Sequence, residues 1–242
     1  MSLPKIRLER CQKIDDGLWR LDPGQYAHLA KSLRSYEGAM VEGLLPDCGG
    51  AKMKMRFTKT GGEGFLREVA QEEAARPGAS LSLVIGLLKS EQFDAVLRAA
   101  SELGVRAVHP ALCERSVPRI APSDLPKKMT RWQKILDEGS KISGFACPAT
   151  IYPPAALGDL SWHMIPEARY AAVLSPEAVP ISSVSSQTEA AFAVGPEGDW
   201  TQGEADALIQ RGFVPVSLGA GILRSSTAAI VGCGWFCLSF AV

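Results

Sequence analysis

The sequence predicts an α/β protein in two parts: a small β-rich N-terminal unit, then a larger domain on a mainly parallel sheet. Three observations carry this. From about residue 80 onward, short apolar runs alternate with helical patterns, the order expected of βαβ units. Before a polar Pro/Gly hinge at 74–80 (AARPGAS), the pattern is instead short strands separated by glycine turns. The chain has 242 residues, 46% apolar and 21% charged, which suits one or two ordinary globular domains with a core of useful size.

In the first part, 6–8 and 18–21 are short strand candidates. The stretch 22–34 (DPGQYAHLAKSLR) reads as a helix with Tyr26, Leu29, Ala30 and Leu33 on one face. Strands follow at 40–45, 52–57 and 64–70, with turns at Asp47-Cys48-Gly49-Gly50 and Gly61-Gly62-Glu63-Gly64. The run 52–57 alternates, placing Lys52, Lys54 and Arg56 on one sheet face and the apolar side chains on the other. That basic face, extended by Arg7, Arg10, Lys31 and Arg34, is a candidate RNA-facing surface. The alternative is a solvated strand face, since Glu42, Glu63, Glu68, Glu72 and Glu73 dilute the charge.

In the second part, 81–88 (LSLVIGLL) is a continuous apolar run, as in a strand covered on both faces. A helix is expected at 90–103 with Phe93, Val96, Leu97, Ala100 and Leu103 on one stripe, Ser90 as N-cap and Gly104 as its stop. Then come a strand at 105–110, a helix at 125–142, and strands at 150–152, 170–174, 190–194 and 213–218.

Two loops stand out. Gly195-Pro196-Glu197-Gly198 follows one strand, and Leu218-Gly219-Ala220-Gly221-Ile222-Leu223-Arg224 follows another. Open α/β sheets bind ligands at the carboxyl ends of strands, so two such loops side by side make a cleft. Glycine lets backbone approach a ligand and permits positive φ, and Pro196 stiffens its loop. Thr201-Gln202-Gly203-Glu204 has the spacing of a capping box. Glu197 has two readings: it holds a ligand hydroxyl or orients a base, or it accepts from neighbouring backbone amides. Ile222 and Leu223 suit a flat apolar group such as a purine, and Ser225-Ser226-Thr227 can cap the last helix. Neither loop is GxGxxG or GxxxxGK[ST], so dinucleotide and P-loop readings fall.

Zero formal net charge argues against a bulk electrostatic nucleic-acid binder but leaves room for a local basic patch. The six cysteines, Cys11, Cys48, Cys113, Cys147, Cys233 and Cys237, form no CxxC pair and no zinc spacing, so reduced thiols in a cytoplasmic protein and no metal are expected. Cys233 and Cys237 lie four apart in an apolar run and should share a buried helix face. That run, 228–242, is short for a bilayer and carries Gly232 and Gly234, so no membrane partner is expected; a signal peptide is not evident.

Together, GPEGDWTQGE and SLGAGILRSSTAA resemble the paired motifs GPEGGF(S/T)xxE and LGxRILRxETA of the RsmE family, SPOUT-class ribosomal RNA methyltransferases. KSEQFDAVLRAASELGVRAVHPALCERSV is similar to that family's K…ELGV…ERSV block, RWQKILDEG to its RWxKIxxEA helix, and QYAHLAKSLR to its HHxxxVLR stretch. The resemblance implies an N-terminal PUA-like β-barrel for RNA binding at 1–74 and a C-terminal SPOUT α/β domain with a trefoil knot at 79–242. It implies a homodimer and S-adenosyl-L-methionine as cofactor, held by Leu174, Gly195, Pro196, Glu197, Gly198, Leu218, Gly219, Ile222 and Leu223. Arg115, in the ERSV part, joins the RNA-binding set.

The implied reaction is methylation of N3 of a uridine in small-subunit (16S) ribosomal RNA. Aligning the two reactants contributes several kcal/mol, at most about 7–11. Arg224 is placed to stabilise negative charge on the uracil or to hold a phosphate, and Glu197 to orient the base. His28, His109 and His163 are isolated and read as structural, and the target base has to be splayed out of the RNA. Gly221 stands where the family has arginine, Ser226 where it has glutamate, Phe145 at a further arginine position, and Asp199-Trp200 in place of Gly-Phe. These departures motivate two rivals: a catalytically weakened RNA-binding relative, and a SPOUT methyltransferase with a different RNA substrate.

Overall fold

A computed structural model describes residues 3–32, 37–45, 51–72, 80–185 and 187–239. Arg34 and Cys48 lie outside that set, as does the side chain of Arg10. The chain divides into two compact units, Met1–Arg76 with Ser140–Pro148 and Pro77–Gly139 with Ala149–Val242.

The first unit is a six-stranded sheet in the order β1-β4-β5-β6-β3-β2. Its strands are β1 (Lys5–Arg7), β2 (Lys13–Asp15), β3 (Leu18–Arg20), β4 (Met40–Leu45), β5 (Ala51–Thr60) and β6 (Glu63–Glu72). Only the β1–β4 pair is parallel; the others are antiparallel. Trp19, Leu44, Met55, Phe57 and Leu66 are fully buried, so the predicted alternation along β5 puts Met55 and Phe57 inside and Arg56 outside. Lys52 and Lys54 are half-buried instead of fully solvated, and Lys52 is paired with Glu42 at 3.4 Å. The expected helix at 22–34 is shorter: α1 covers Pro23–Ala27, and a wider π turn continues over His28–Ser32. Asp22 and Gln25 form a reciprocal capping box that fixes its start. Arg7 donates to Ser140 Oγ and Lys5 to the Ile142 carbonyl at 2.7 Å, tying the strand to the 140–148 segment of the same unit.

The second unit carries an all-parallel sheet in the order β10-β8-β7-β13-β11-β14-β12, with β9 also on β8. The elements are β7 (Ser80–Gly86), α2 (Ser90–Leu103), β8 (Ala107–Leu112), α3 (Leu125–Ser143), β9 (Thr150–Ile151), β10 (Ala155–Ala156) and β11 (Arg169–Ala172). They continue with β12 (Val179–Pro180), β13 (Glu189–Val194), α4 (Gln202–Gln210), β14 (Phe213–Ser217) and α5 (Ser225–Ser239). The apolar runs of β7 and β13 are sorted by the two-residue strand period. Leu81, Leu83, Ile85, Phe192 and Val194 join one core with α2 and α5, while Val84, Ala191 and Ala193 join a second core with α4. Gly232 on α5 explains how closely that helix sits on β13: a Cβ there would lie 2.0 Å from the Phe192 ring.

Two helix starts differ from expectation. Lys89, with no side-chain bond, is the N-cap of α2, and Ser90 is already helical. Ser225 is the first residue of α5, and its hydroxyl is used elsewhere, as described below. Gly104 ends α2 in the left-handed region (φ 88°), where glycine avoids the Cβ clash. Cys233 and Cys237 share the buried face of α5, where burial pushes both thiols up, Cys237 to about 12. His109 is buried against Tyr152, ring centroids 4.5 Å apart, and burial lowers its imidazole to about 4, a neutral packed ring.

Candidate active site

Strand β11 lies between β13 and β14, and Ala172 is level with Val194 on one side and Val216 on the other. All three strands run in parallel, so their carboxyl ends finish on one line and their following loops leave from the same edge. Between those loops is a cavity of about 420 Å³, lined by 172–175, 194–197, Asp199, 216–219 and 221–225 with Gln92, Ala178 and Ala228. That volume falls in the range of roughly 300–1,000 Å³ typical of small-molecule sites.

The first loop is confined from several sides. A Cβ on Gly86, at the end of β7, would lie 2.4 Å from Pro196 N, so β7 reaches this loop only as glycine. A Cβ on Gly198 would lie 2.9 Å from Arg115 Cβ. Arg115 Nη1 donates to the carbonyls of Gly198 (3.1 Å) and Trp200 (3.3 Å). Glu197 Oε1 accepts from Lys89 N at 2.9 Å, the backbone-amide use among its two readings. Buried Trp200 donates from Nε1 to the Ala172 carbonyl at 3.2 Å, which ties the loop to the end of β11. The predicted capping box is present: Thr201 Oγ1 accepts from Glu204 N and Thr201 N donates to Glu204 Oε2. The other Glu204 oxygen accepts from Glu114 N at 2.9 Å, holding the 114–116 turn beside α4.

The second loop is open. A Cβ at Gly219 or Gly221 would meet nothing within 4 Å, and Gly219 has φ 139°. Ser217 Oγ donates to the Gly219 carbonyl at 3.0 Å. Two of the lining side chains are exposed, Ile222 at 80% and Leu174 at 67%. Exposed apolar side chains on a concave surface mark a site for an apolar ligand part. The two loops are joined by Ser225 Oγ, which donates to the Pro196 carbonyl at 2.7 Å.

Eight of the nine residues expected to touch the cofactor line this cavity; Gly198, packed on Arg115, does not. Arg224 lines it too and is exposed. Arg115 lies beside the first loop, whereas Arg7, Lys31, Lys52, Lys54 and Arg56 belong to the other unit. Sequence reasoning missed the Ser225 tie, the Arg115 brace and, around the expected Leu174, the lining residues Val173, Ser175 and Ala178, which no periodicity marks. Among the described residues, no group of three or more His, Cys, Asp or Glu side chains is placed to hold a metal, and no helix is long and apolar enough to cross a membrane.

Residues 76–236 match the family model described as RNA methyltransferase domain. A Synechocystis sp. protein named ribosomal RNA small subunit methyltransferase E is 30% identical over 91% of this chain and 73% of its own length. The chain belongs to this family. A second ribosomal RNA small subunit methyltransferase E, from Borreliella burgdorferi, is 26% identical over 87% of each chain. The fold is shared with the Neisseria gonorrhoeae member crystallised with S-adenosyl methionine: TM-score 0.83, 23% identity, 96% of both chains. A Legionella pneumophila methyltransferase solved with the same cofactor also has TM-score 0.83, at 22% identity over 97% of both chains. Against the family motifs, Gly221 stands in open space on the cavity rim, and Ser226 is half-buried in the first turn of α5. The Asp199-Trp200 pair sits at the inner end of the first loop, Asp199 on the cavity wall.

Proposed function

We propose that this chain transfers a methyl group from S-adenosylmethionine to N3 of a uridine in small-subunit (16S) ribosomal RNA. The cavity where three level strand ends meet two glycine loops carries this reading, together with the family membership. Its size and its mixture of exposed apolar side chains and loop backbone fit the adenosine part of the cofactor. When bound, S-adenosylmethionine supplies an electrophilic methyl on a sulfonium. The chain's own residues do the rest. Leu174, Ile222 and Leu223 cover the purine and exclude water from it. Pro196 and Glu197, clamped by Ser225 and Lys89 N, keep the first wall in place, so the reactants meet in line without reorganisation. Arg224, on the rim, stabilises the negative charge that uracil gains as the N3 proton leaves.

The β-rich unit (1–74) acts as a PUA-like RNA-binding domain. Arg56 stands directly opposite Arg67 in the β5–β6 pair, and both are exposed; an anionic partner relieves such a like-charge pair. The region 79–242 acts as the SPOUT domain with a trefoil knot. β14 lies between β11 and β12, both earlier in the chain, an order that favours threading of its C-terminal end. The apolar helix α5 leaves Val231 and Leu238 exposed, which favours a homodimer through this helix. The protein works in the cytoplasm, with ribosomal RNA or the small subunit as partner.

Calorimetry with S-adenosylmethionine tests the first step, and the expected result is binding well below millimolar concentration. Methyl incorporation into small-subunit particles, compared with naked RNA, then tests the substrate. Arg224→Ala should fold and bind cofactor but methylate at least about tenfold more slowly; the native rate would remove its role. A second reading, methylation of a different RNA, is favoured by Gly221, which leaves open the space where the family has an arginine.

A further inference from the structure

Asp199 is the only non-glycine residue with positive φ (61°) among the described residues. An L side chain pays for this conformation in steric strain, which asparagine and aspartate tolerate best and glycine avoids. The family motif has glycine here, so the strain-free choice exists and this chain departs from it. One local compensation is visible: Asp199 Oδ1 accepts from Trp200 N at 2.8 Å. Oδ2 has no hydrogen-bond partner among the described residues, and the side chain is only half-buried on the cavity wall. The charged residues lining the cavity are Glu197, Asp199 and Arg224, two carboxylates and one guanidinium. Glu197 Oε1 accepts from Lys89 N and Asp199 Oδ1 from Trp200 N, so each keeps one oxygen uncommitted, but Glu197 is exposed whereas Asp199 is half-buried in the wall.

We infer that Asp199 is a specificity-determining residue: its carboxylate makes the cavity prefer a cationic sulfonium ligand over the neutral thioether left after methyl transfer. This rests on the cofactor reading above. S-adenosylmethionine carries one positive charge more than S-adenosylhomocysteine, and the two are otherwise nearly the same shape. A carboxylate on the wall attracts the first more strongly than the second, in a part-solvated site where the effect is modest and screened by salt. Its consequence is weaker product inhibition.

The test is titration of the full-length protein with each ligand. The wild type should bind S-adenosylmethionine more tightly than S-adenosylhomocysteine, with a ratio that shrinks as salt is raised. Asp199→Asn keeps the acceptor for Trp200 N and the tolerance of positive φ but removes the charge. It should melt at the wild-type temperature and lose selectivity by roughly three- to tenfold. Asp199→Gly, which relieves the backbone strain, should lose selectivity by the same factor. An unchanged ratio in either folded variant overturns the inference and leaves the cofactor reading intact. A wild type that binds neither ligand overturns both.

Discussion

The loop at 195–200 and the loop at 218–224 wall the same cavity, yet other elements hem in only the first. Gly86 and Lys89 N, Arg115, and Ser225 hold it, from three separate parts of the chain. The second is secured near its ends, by the Ser217 and Ser225 hydroxyls, and its glycines have empty space around them. Glycine therefore serves opposite needs in the two walls. At Gly86 and Gly198 it permits close approach, and at Gly219 it permits a backbone angle that other residues avoid. The first wall is preorganised, and the second is left for a ligand to complete, an arrangement that lowers the ordering cost of binding on one side only.

The largest effect that can break this contrast is at Gly86. Gly86→Ala forces a methyl group to within 2.4 Å of Pro196 N, and that backbone has to move. Denaturant titration should register a loss of about 2–3 kcal/mol, with cofactor affinity falling in parallel. Arg115→Ala comes next. It removes both bonds to the first loop and should lower stability by about 1 kcal/mol while weakening S-adenosylmethionine binding. The salt slope of RNA binding tests its place in the RNA-binding set: a slope reduced by about one makes Arg115 a phosphate contact as well, and an unchanged slope makes it a brace alone. Ser225→Ala cuts the tie between the two walls, for about 1 kcal/mol or less, and Ser225→Thr should recover part of it. Gly221→Ala, with nothing within 4 Å, should change stability by no more than about 0.5 kcal/mol.

Much of the second unit was legible because its signals are local and repeated. The helix predicted at 90–103 is α2 to the residue, and the strands before both glycine loops are β13 and β14 within one residue at each end. The grouping of the two loops was also legible, since each follows a strand at its carboxyl end. What pairs across long separations was not. No local pattern marks Ser225 for the Pro196 carbonyl, 29 residues away, or Arg115 for Gly198, 83 away. The same limit applied in the first unit, where Lys52 read as part of an open basic face but meets Glu42 on the neighbouring strand. The three-residue strand β2 and the two-residue strands β9, β10 and β12 are too short to carry a period, so their places in the sheets depend on the partners beside them.

Amide hydrogen exchange with and without S-adenosylmethionine tests the two-wall account most directly. In the free protein, the amides of Asp199, Trp200 and Thr201, each hydrogen-bonded, should already exchange slowly, while those across 220–224 exchange fast. Saturating cofactor should slow the second set by at least about tenfold and leave the first nearly unchanged. Equal exchange of the two loops in the free protein, or no slowing across 220–224 at saturation, would contradict the account.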